Sequence, residues 1–263
     1  MRETPSTYYK LPLFDGLEAL NATDYNASFP YHFHPTFNIS LVYEGVFKAK
    51  LTDKSVSAPP GSILITNPQE IHANPCEKKD RISFFTFYLT PDLLKDPDRN
   101  KSLIFTDKVI YDKRIFDQLH RLSLRIRDGH IDDRFEQEFR KALGKLASSY
   151  GVAGEDEGTA QKTSTLFSEF LAEQTNEKFS LEEAAKRFGI DKYKFLRLFK
   201  HQTGLTPNHY FIFKRIEQSK SLLAEGKDLL SIAIELGFYD AAHFCHHFKK
   251  FTGISPLAFG LAT

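Results

Sequence analysis

The chain of 263 residues has no tryptophan, one methionine and two cysteines, Cys76 and Cys245, far apart and outside any CxxC pair. That excludes a disulfide framework and a zinc finger, and leaves two ordinary reduced thiols. No apolar run approaches the roughly 18 residues that cross a bilayer, and the opening MRETPSTYYK lacks the apolar stretch of a signal peptide. The expected location is therefore the cytoplasm. Charge of one sign is also missing: 35 Lys and Arg stand against 34 Asp and Glu, a net of +1, which favours neither binding nor avoidance of nucleic acid. Divided at residue 160, the count is 21 basic against 23 acidic before it and 14 against 11 after it. What is present is apolar content of 41%, including 25 Phe, enough for the core of one large or two ordinary domains.

Residues 1 to about 30 carry Pro5, Pro12, Gly16 and Pro30 and read as an irregular arm. The runs FNISLVY (37–43), GVFKAKL (45–51), GSILIT (61–66) and RISFFTFYL (81–89) are short, β-branched or aromatic, and separated by Gly, Pro and Asn. Strands at this spacing predict an all-β sandwich or small barrel. Within it, His32-Phe33-His34 and the stretch Pro60-Gly61-Ser62-Ile63-Leu64-Ile65 leading to Glu70 and His72 resemble a cupin. In metal-binding cupins an HxH, a nearby Glu and a later His converge on one ion, but here PTFNIS follows His34 and Glu44 lies too far along to take the carboxylate's place. No metal or other cofactor is expected. The barrel interior is instead read as a small-molecule pocket, with His32, Phe33, His34, Phe37, Phe47, His72 and Phe87 as candidate lining residues.

From Lys113 the pattern becomes helical. Ile115, Phe116, Leu119, Leu122 and Ile126 recur at 3-4 spacing, Gly129 interrupts them, and Phe135, Phe139, Leu143, Leu146 and Tyr150 repeat the pattern. These two helices are expected to pack on the barrel or to pair with a second chain. GVAGEDEGTA (151–160), rich in Gly and acidic residues, reads as a linker, which puts domain borders at 1–150, 151–161 and 162–263.

Beyond the linker, Thr163–Thr175 is expected as a short amphipathic helix. FSLEEAAKRFG (179–189) has a Ser180 cap, a Glu183 three residues on and a terminal Gly. DKYKFLRLFKHQTGLTP (191–207) has an Asp191 cap, a Phe195, Leu198, Phe199 stripe and a basic outer face. Helix, turn and helix make a helix-turn-helix. A longer helix from Pro207 follows, with Lys214, Arg215 and Lys220 expected in water, and then a second unit: LFKHQTGLTP (198–207) corresponds to HFKKFTGISP (247–256), 49 residues later.

With this repeat in view, residues 162 to 260 resemble the AraC/XylS family of bacterial transcription regulators, and residues 30 to 90 resemble the cupin-type sensing domain that members often carry. The resemblance implies an α+β multidomain protein: an N-terminal cupin-like β-barrel with two helices, and a C-terminal all-α domain whose two helix-turn-helix units are joined by a long helix. It also implies double-stranded DNA, a small-molecule effector, RNA polymerase and a second copy of the chain as partners, and no catalysis. By position, Tyr193, Leu196 and Arg197 would face the bases, with Arg197 set for guanine and Lys192, Lys194 and Lys200 for phosphates. In the second unit Ala242, Cys245, His246 and Lys249 take the outward places, and His246 stands where members usually have Arg, so looser reading through backbone and shape is expected there. Two other readings compete: a metal-dependent cupin enzyme using His32, His34 and His72, and a ligand-independent regulator controlled by a partner protein. A metal site on His243, Cys245, His246 and His247 lacks a carboxylate or second Cys to complete it.

Overall fold

The structure is a computed structural model that describes residues 6–14, 16–77, 79–94, 103–154, 170 and 179–262. The chain divides into two compact units, the first running to about residue 160 and the second also taking in Phe29–His32. The predicted linker lies largely outside the described residues, and so does the helix expected over Thr163–Thr175 except for Phe170, which is helical and buried.

The chain up to Ala153 carries strands β1 (Ser6–Leu11), β2 (Leu17–Tyr25), β3 (Phe29–His32), β4 (Phe37–Glu44), β5 (Phe47–Leu51), β6 (Ser55–Ala58), β7 (Ile63–Thr66), β8 (His72–Asn74), β9 (Ile82–Leu89), β10 (Leu103–Ile104), β11 (Val109–Ile110) and β12 (Val152–Ala153), all but β3 belonging to the first unit. One sheet runs β1-β2-β9-β4-β7-β11, a second runs β3-β8-β5-β6, and β10 pairs with β12. The cupin-like β domain expected from the sequence is thus present, but where an irregular arm was expected, Ser6–Leu11 and Leu17–Tyr25 are strands. Buried Tyr8 and Leu11 on β1, and Leu17, Ala19, Leu20 and Ala22 on β2, anchor them in the larger sheet. The prolines punctuate these strands without preventing them. Pro12 follows β1, and Pro30 lies on β3 at the end of its sheet's strand order, where a missing N–H is tolerated.

Register decides which side chains meet. Phe37, Ile39 and Leu41 on β4 stand opposite Leu89, Phe87 and Phe85 on β9, and all six belong to the core with α1 (Lys113–Arg127) and α2 (Asp133–Tyr150). Their neighbours Asn38, Ser40 and Val42 face Tyr88, Thr86 and Phe84 on the other side of the sheet. Asp112 caps α1 through the backbone N–H groups of Arg114 and Ile115, Asp132 caps α2 through that of Phe135, and Gly129 takes φ +72° in the turn between them.

The second unit contains α3 (Leu181–Arg187), α4 (Lys192–Thr203), α5 (Pro207–Ala224), α6 (Leu229–Glu235), α7 (Ala241–Thr252) and α8 (Pro256–Gly260). Phe170, Ala184, Ala185, Phe195, Phe199 and Phe211 form the first core of this unit, joining α3 and α4 to the start of α5. Along α5 one expectation fails. Arg215 is buried, and its Nη1 donates to the Gly237 carbonyl at 2.9 Å, whereas 3-4 spacing had placed it in water.

Candidate nucleic-acid interface and effector site

Each helix-turn-helix ends in a helix started and stopped by the same devices. On α4, Asp191 accepts from the backbone N–H groups of Tyr193 and Lys194 at 3.0 Å, which hold its carboxyl below the usual carboxylate range, and Gly204 closes the helix at φ +70°. On α7, Asp240 accepts from the His243 N–H at 2.6 Å and Gly253 closes it at φ +81°.

The last turns match in finer detail. Thr203 Oγ1 lies 2.8 Å from the Phe199 carbonyl and 3.0 Å from that of Leu205, and accepts from the Leu205 N–H at 3.3 Å. Thr252 Oγ1 makes the same set at 2.8, 3.1 and 3.4 Å with Phe248 and Ile254. The shared TG in the repeat is therefore a lock between helix end and following turn. The recurrence of Thr at the same place in both copies was its only trace in the sequence.

Inward, Phe195 and Phe199 on α4 and Phe244 and Phe248 on α7 are fully buried. Outward, Lys192, Tyr193, Lys194, Arg197 and Lys200 are exposed, and Leu196 is half-buried beside them. The structure thus gathers the candidate DNA contacts of the first copy on one basic face. Lys192 also pairs with Glu182 of α3 at 3.1 Å, an interaction that raises the lysine's pKa. An exposed pair of this kind is weak and exchanges readily for a phosphate. On α7, Ala242, His246 and Lys249 are exposed but Cys245 is half-buried, and burial raises its thiol pKa. His247 turns partly inward, where burial first, and His243, His246, Lys250 and His209 after it, lower its pKa to about 4.

Arg215 was missed by sequence reasoning. Its guanidinium lies under Gly237, the left-handed residue (φ +70°) that ends α6, and a Cβ there would meet it at 3.4 Å. The hydrogen bond to the Gly237 carbonyl thereby ties α5 to the turn of the second helix-turn-helix.

The candidate effector residues separate into two groups. Phe37 and Phe87 face the helices as core, opposite to the side expected of pocket lining, because the register places them with Ile39 and Phe85. Phe47 is also buried, stacked on Phe84 with ring centroids 4.4 Å apart, and Phe33 is half-buried. His32, His34 and His72 come together: one ligand nitrogen from each lies within 4.8 Å of the others. His34 packs on Tyr88, ring centroids 5.4 Å apart, on the sheet face that carries Asn38, Ser40 and Thr86. That face is polar as well as buried, with Ser40 and Thr86 hydroxyls 2.7 Å apart. Glu70 accepts from Lys108 at 2.8 Å and from the Asn67 N–H at 3.0 Å, and burial lowers the pKa of Lys108. Glu44 accepts from Ser83 at 2.8 Å.

Residues 16–143 match the AraC-like ligand binding domain and residues 184–260 match a helix-turn-helix domain. The probable transcription factor PqrA of Proteus vulgaris is 33% identical over 87 residues, covering 33% of this chain and 71% of PqrA. The chain belongs to the AraC-type family of transcriptional regulators. Over a longer span, this AraC-type chain is similar to the HTH-type transcriptional regulator YbfI of Bacillus subtilis, at 26% identity over 236 residues, 86% of this chain and 85% of YbfI. Its fold is similar to that of unsaturated fatty acid-bound ToxT from Vibrio cholerae, with a TM-score of 0.51 at 16% identity over 100% of both chains. As an AraC-type regulator it combines a helix-turn-helix DNA-binding domain with a ligand-binding domain. No described helix is long and apolar enough to cross a membrane.

Proposed function

We propose that the chain reads duplex DNA mainly through the first helix-turn-helix, with Arg197 bonding a guanine edge, Tyr193 and Leu196 beside it, and Lys192, Lys194 and Lys200 on phosphates. The observation that carries this reading is the exposed basic face of α4 on a helix fixed at both ends, against a second helix whose outward residues are Ala242, His246 and Lys249. The second helix reads backbone and shape, with Cys245 at the margin of its contact face. Selection of binding sites from random DNA by the purified protein tests the assignment. Arg197→Ala should then weaken the selected site by about 1–3 kcal/mol and relax preference at one position, while Lys200→Ala should weaken all sequences alike and flatten the salt dependence. Unchanged affinity and preference in Arg197→Ala would remove Arg197 from the interface.

The effector is a polar small molecule held in the β domain. The buried hydroxyls of Ser40 and Thr86 and the Asn38 amide support a ligand that forms hydrogen bonds, in contrast to the fatty acid held by ToxT. Ligand-dependent melting of the purified chain tests the class. A response confined to fatty acids would overturn it. A homodimer through α1 and α2, engagement of RNA polymerase at the promoter, a cytoplasmic location and the absence of catalysis complete the proposal. They agree with relatives named as transcriptional regulators.

A further inference from the structure

Gln118, Arg121 and Leu122 stand at the i, i+3, i+4 spacing that puts side chains on one face of α1, and Glu138, Lys141 and Ala142 stand at the same spacing on α2. The two faces meet, and these residues line a groove of about 220 Å³ within the first unit. Its floor is apolar: Leu122 and Ala142 are buried in the core, while Arg121 and Lys141 are exposed at its sides. The carboxylate in the groove is already matched, because Glu138 accepts from Arg125 Nη1 at 3.0 Å and from Arg134 Nε at 2.9 Å. Asp117, one turn before Arg121, is taken by Lys113 at 2.7 Å. Neither Arg121 nor Lys141 has an ion pair among the described residues, so two uncompensated cations flank the apolar floor. Gln118 adds a further demand. Its Oε1 is buried and accepts no hydrogen bond from a described residue, which is unfavourable unless a donor reaches it.

We propose that this groove binds a small organic acid that carries a hydroxyl group, with the carboxylate between Arg121 and Lys141, the hydrocarbon part on Leu122 and Ala142, and the hydroxyl donating to Gln118 Oε1. Charge selects an anion, and the planar fork of Arg121 suits a carboxylate. Inorganic phosphate would leave Leu122 and Ala142 uncovered, so the acid needs a hydrocarbon part. The volume keeps it small, being below the about 300–1,000 Å³ of sites for drug-sized ligands. The groove lies on the helix side of the large sheet, opposite the face that carries Asn38, Ser40 and Thr86. It therefore stands whether or not that face holds the effector and whether or not Arg197 reads guanine. A side-chain carboxylate of a second copy offers the same chemistry, and the experiment tells the two apart.

The test titrates the full-length protein with α-hydroxyisocaproate by calorimetry, beside isocaproate, which lacks the hydroxyl, and α-hydroxyisocaproamide, which lacks the charge. The expected result is saturation at one acid per chain, weakened by salt, with isocaproate weaker and the amide not bound. Arg121→Gln and Lys141→Gln change exposed side chains and should keep the wild-type melting temperature. Each should weaken the acid about tenfold, the worth of one hydrogen bond to a charged group. Gln118→Met should erase the preference for α-hydroxyisocaproate over isocaproate. Absence of binding by wild type, equal binding by wild type and Arg121→Gln, or equal binding of acid and amide would overturn the site. Loss of binding in Ser40→Ala in place of Arg121→Gln would overturn it too, by moving the acid to the β-domain interior. A changed monomer–dimer equilibrium in Arg121→Gln, with no acid bound by wild type, would give the groove to a second copy instead.

Discussion

Replacing Arg215 by Met keeps most of the stem that packs within the second unit and removes only the charged fork. The group that loses its partner is the Gly237 carbonyl, which accepts from Nη1 at 2.9 Å. A hydrogen bond from a charged donor is worth about 1.5–3 kcal/mol, and the carbonyl left behind is partly buried, so a loss of about 2 kcal/mol is expected. Burial lowers the pKa of Arg215, yet a guanidinium remains protonated throughout the neutral range, so the loss should not depend on pH near 7. For a unit of about 100 residues, 2 kcal/mol corresponds to a fall of about 8–16 °C in its melting temperature. Calorimetry of the full-length chain measures it. Amide exchange supplies a local reading, since the N–H groups of Gly237 and Phe238 bond to Ile234 and Ala233 at the end of α6 and should exchange faster than those of α3. A melting transition within about 1 °C of wild type, with unchanged exchange at Gly237, would refute the claim that Arg215 fastens this turn.

Thr203→Val and Thr252→Val each delete a hydroxyl and keep its shape, and each should cost about 1 kcal/mol in urea unfolding. The two sites lie in separate copies, so the double variant should show the sum within about 0.5 kcal/mol, and a null effect from both would dismiss the lock. His247 has a folded pKa of about 4, below its unfolded value, so its contribution is complete above about pH 6.5 and is lost as pH falls toward 4. The melting temperature of His247→Gln should therefore decline less than that of wild type across that window, and parallel declines would remove His247 from the account.

The strands over 37–89 and the two helices after Lys113 were legible because their side chains repeat at the periods of the elements that form there. The faces of those strands were not. Moving one residue along a strand exchanges core for lumen, and only the pairing of β4 with β9 shows that Phe37 and Phe87 belong with the helices. The His32 and His34 spacing placed two imidazoles on one side of an extended segment, but the approach of His72 depends on β3 lying beside β8. Only the resemblance to cupins, and not sequence separation, pointed to that neighbour. Arg215 failed for a related reason: spacing along α5 assigns a face, and cannot reveal that a carbonyl waits there. The caps at Asp191, Asp240, Gly204 and Gly253 were readable because each acts on backbone within a few residues of itself.

The threonine locks separate two tasks within each recognition helix. Everything that sets where the helix begins, ends and seats lies in Asp, two Phe, Thr and Gly, and these recur in both copies, whereas the outward residues other than Lys200 and its counterpart Lys249 differ between them. The outward positions can therefore be rewritten at little cost to the frame. A chain built this way is a pair of sockets with interchangeable inserts.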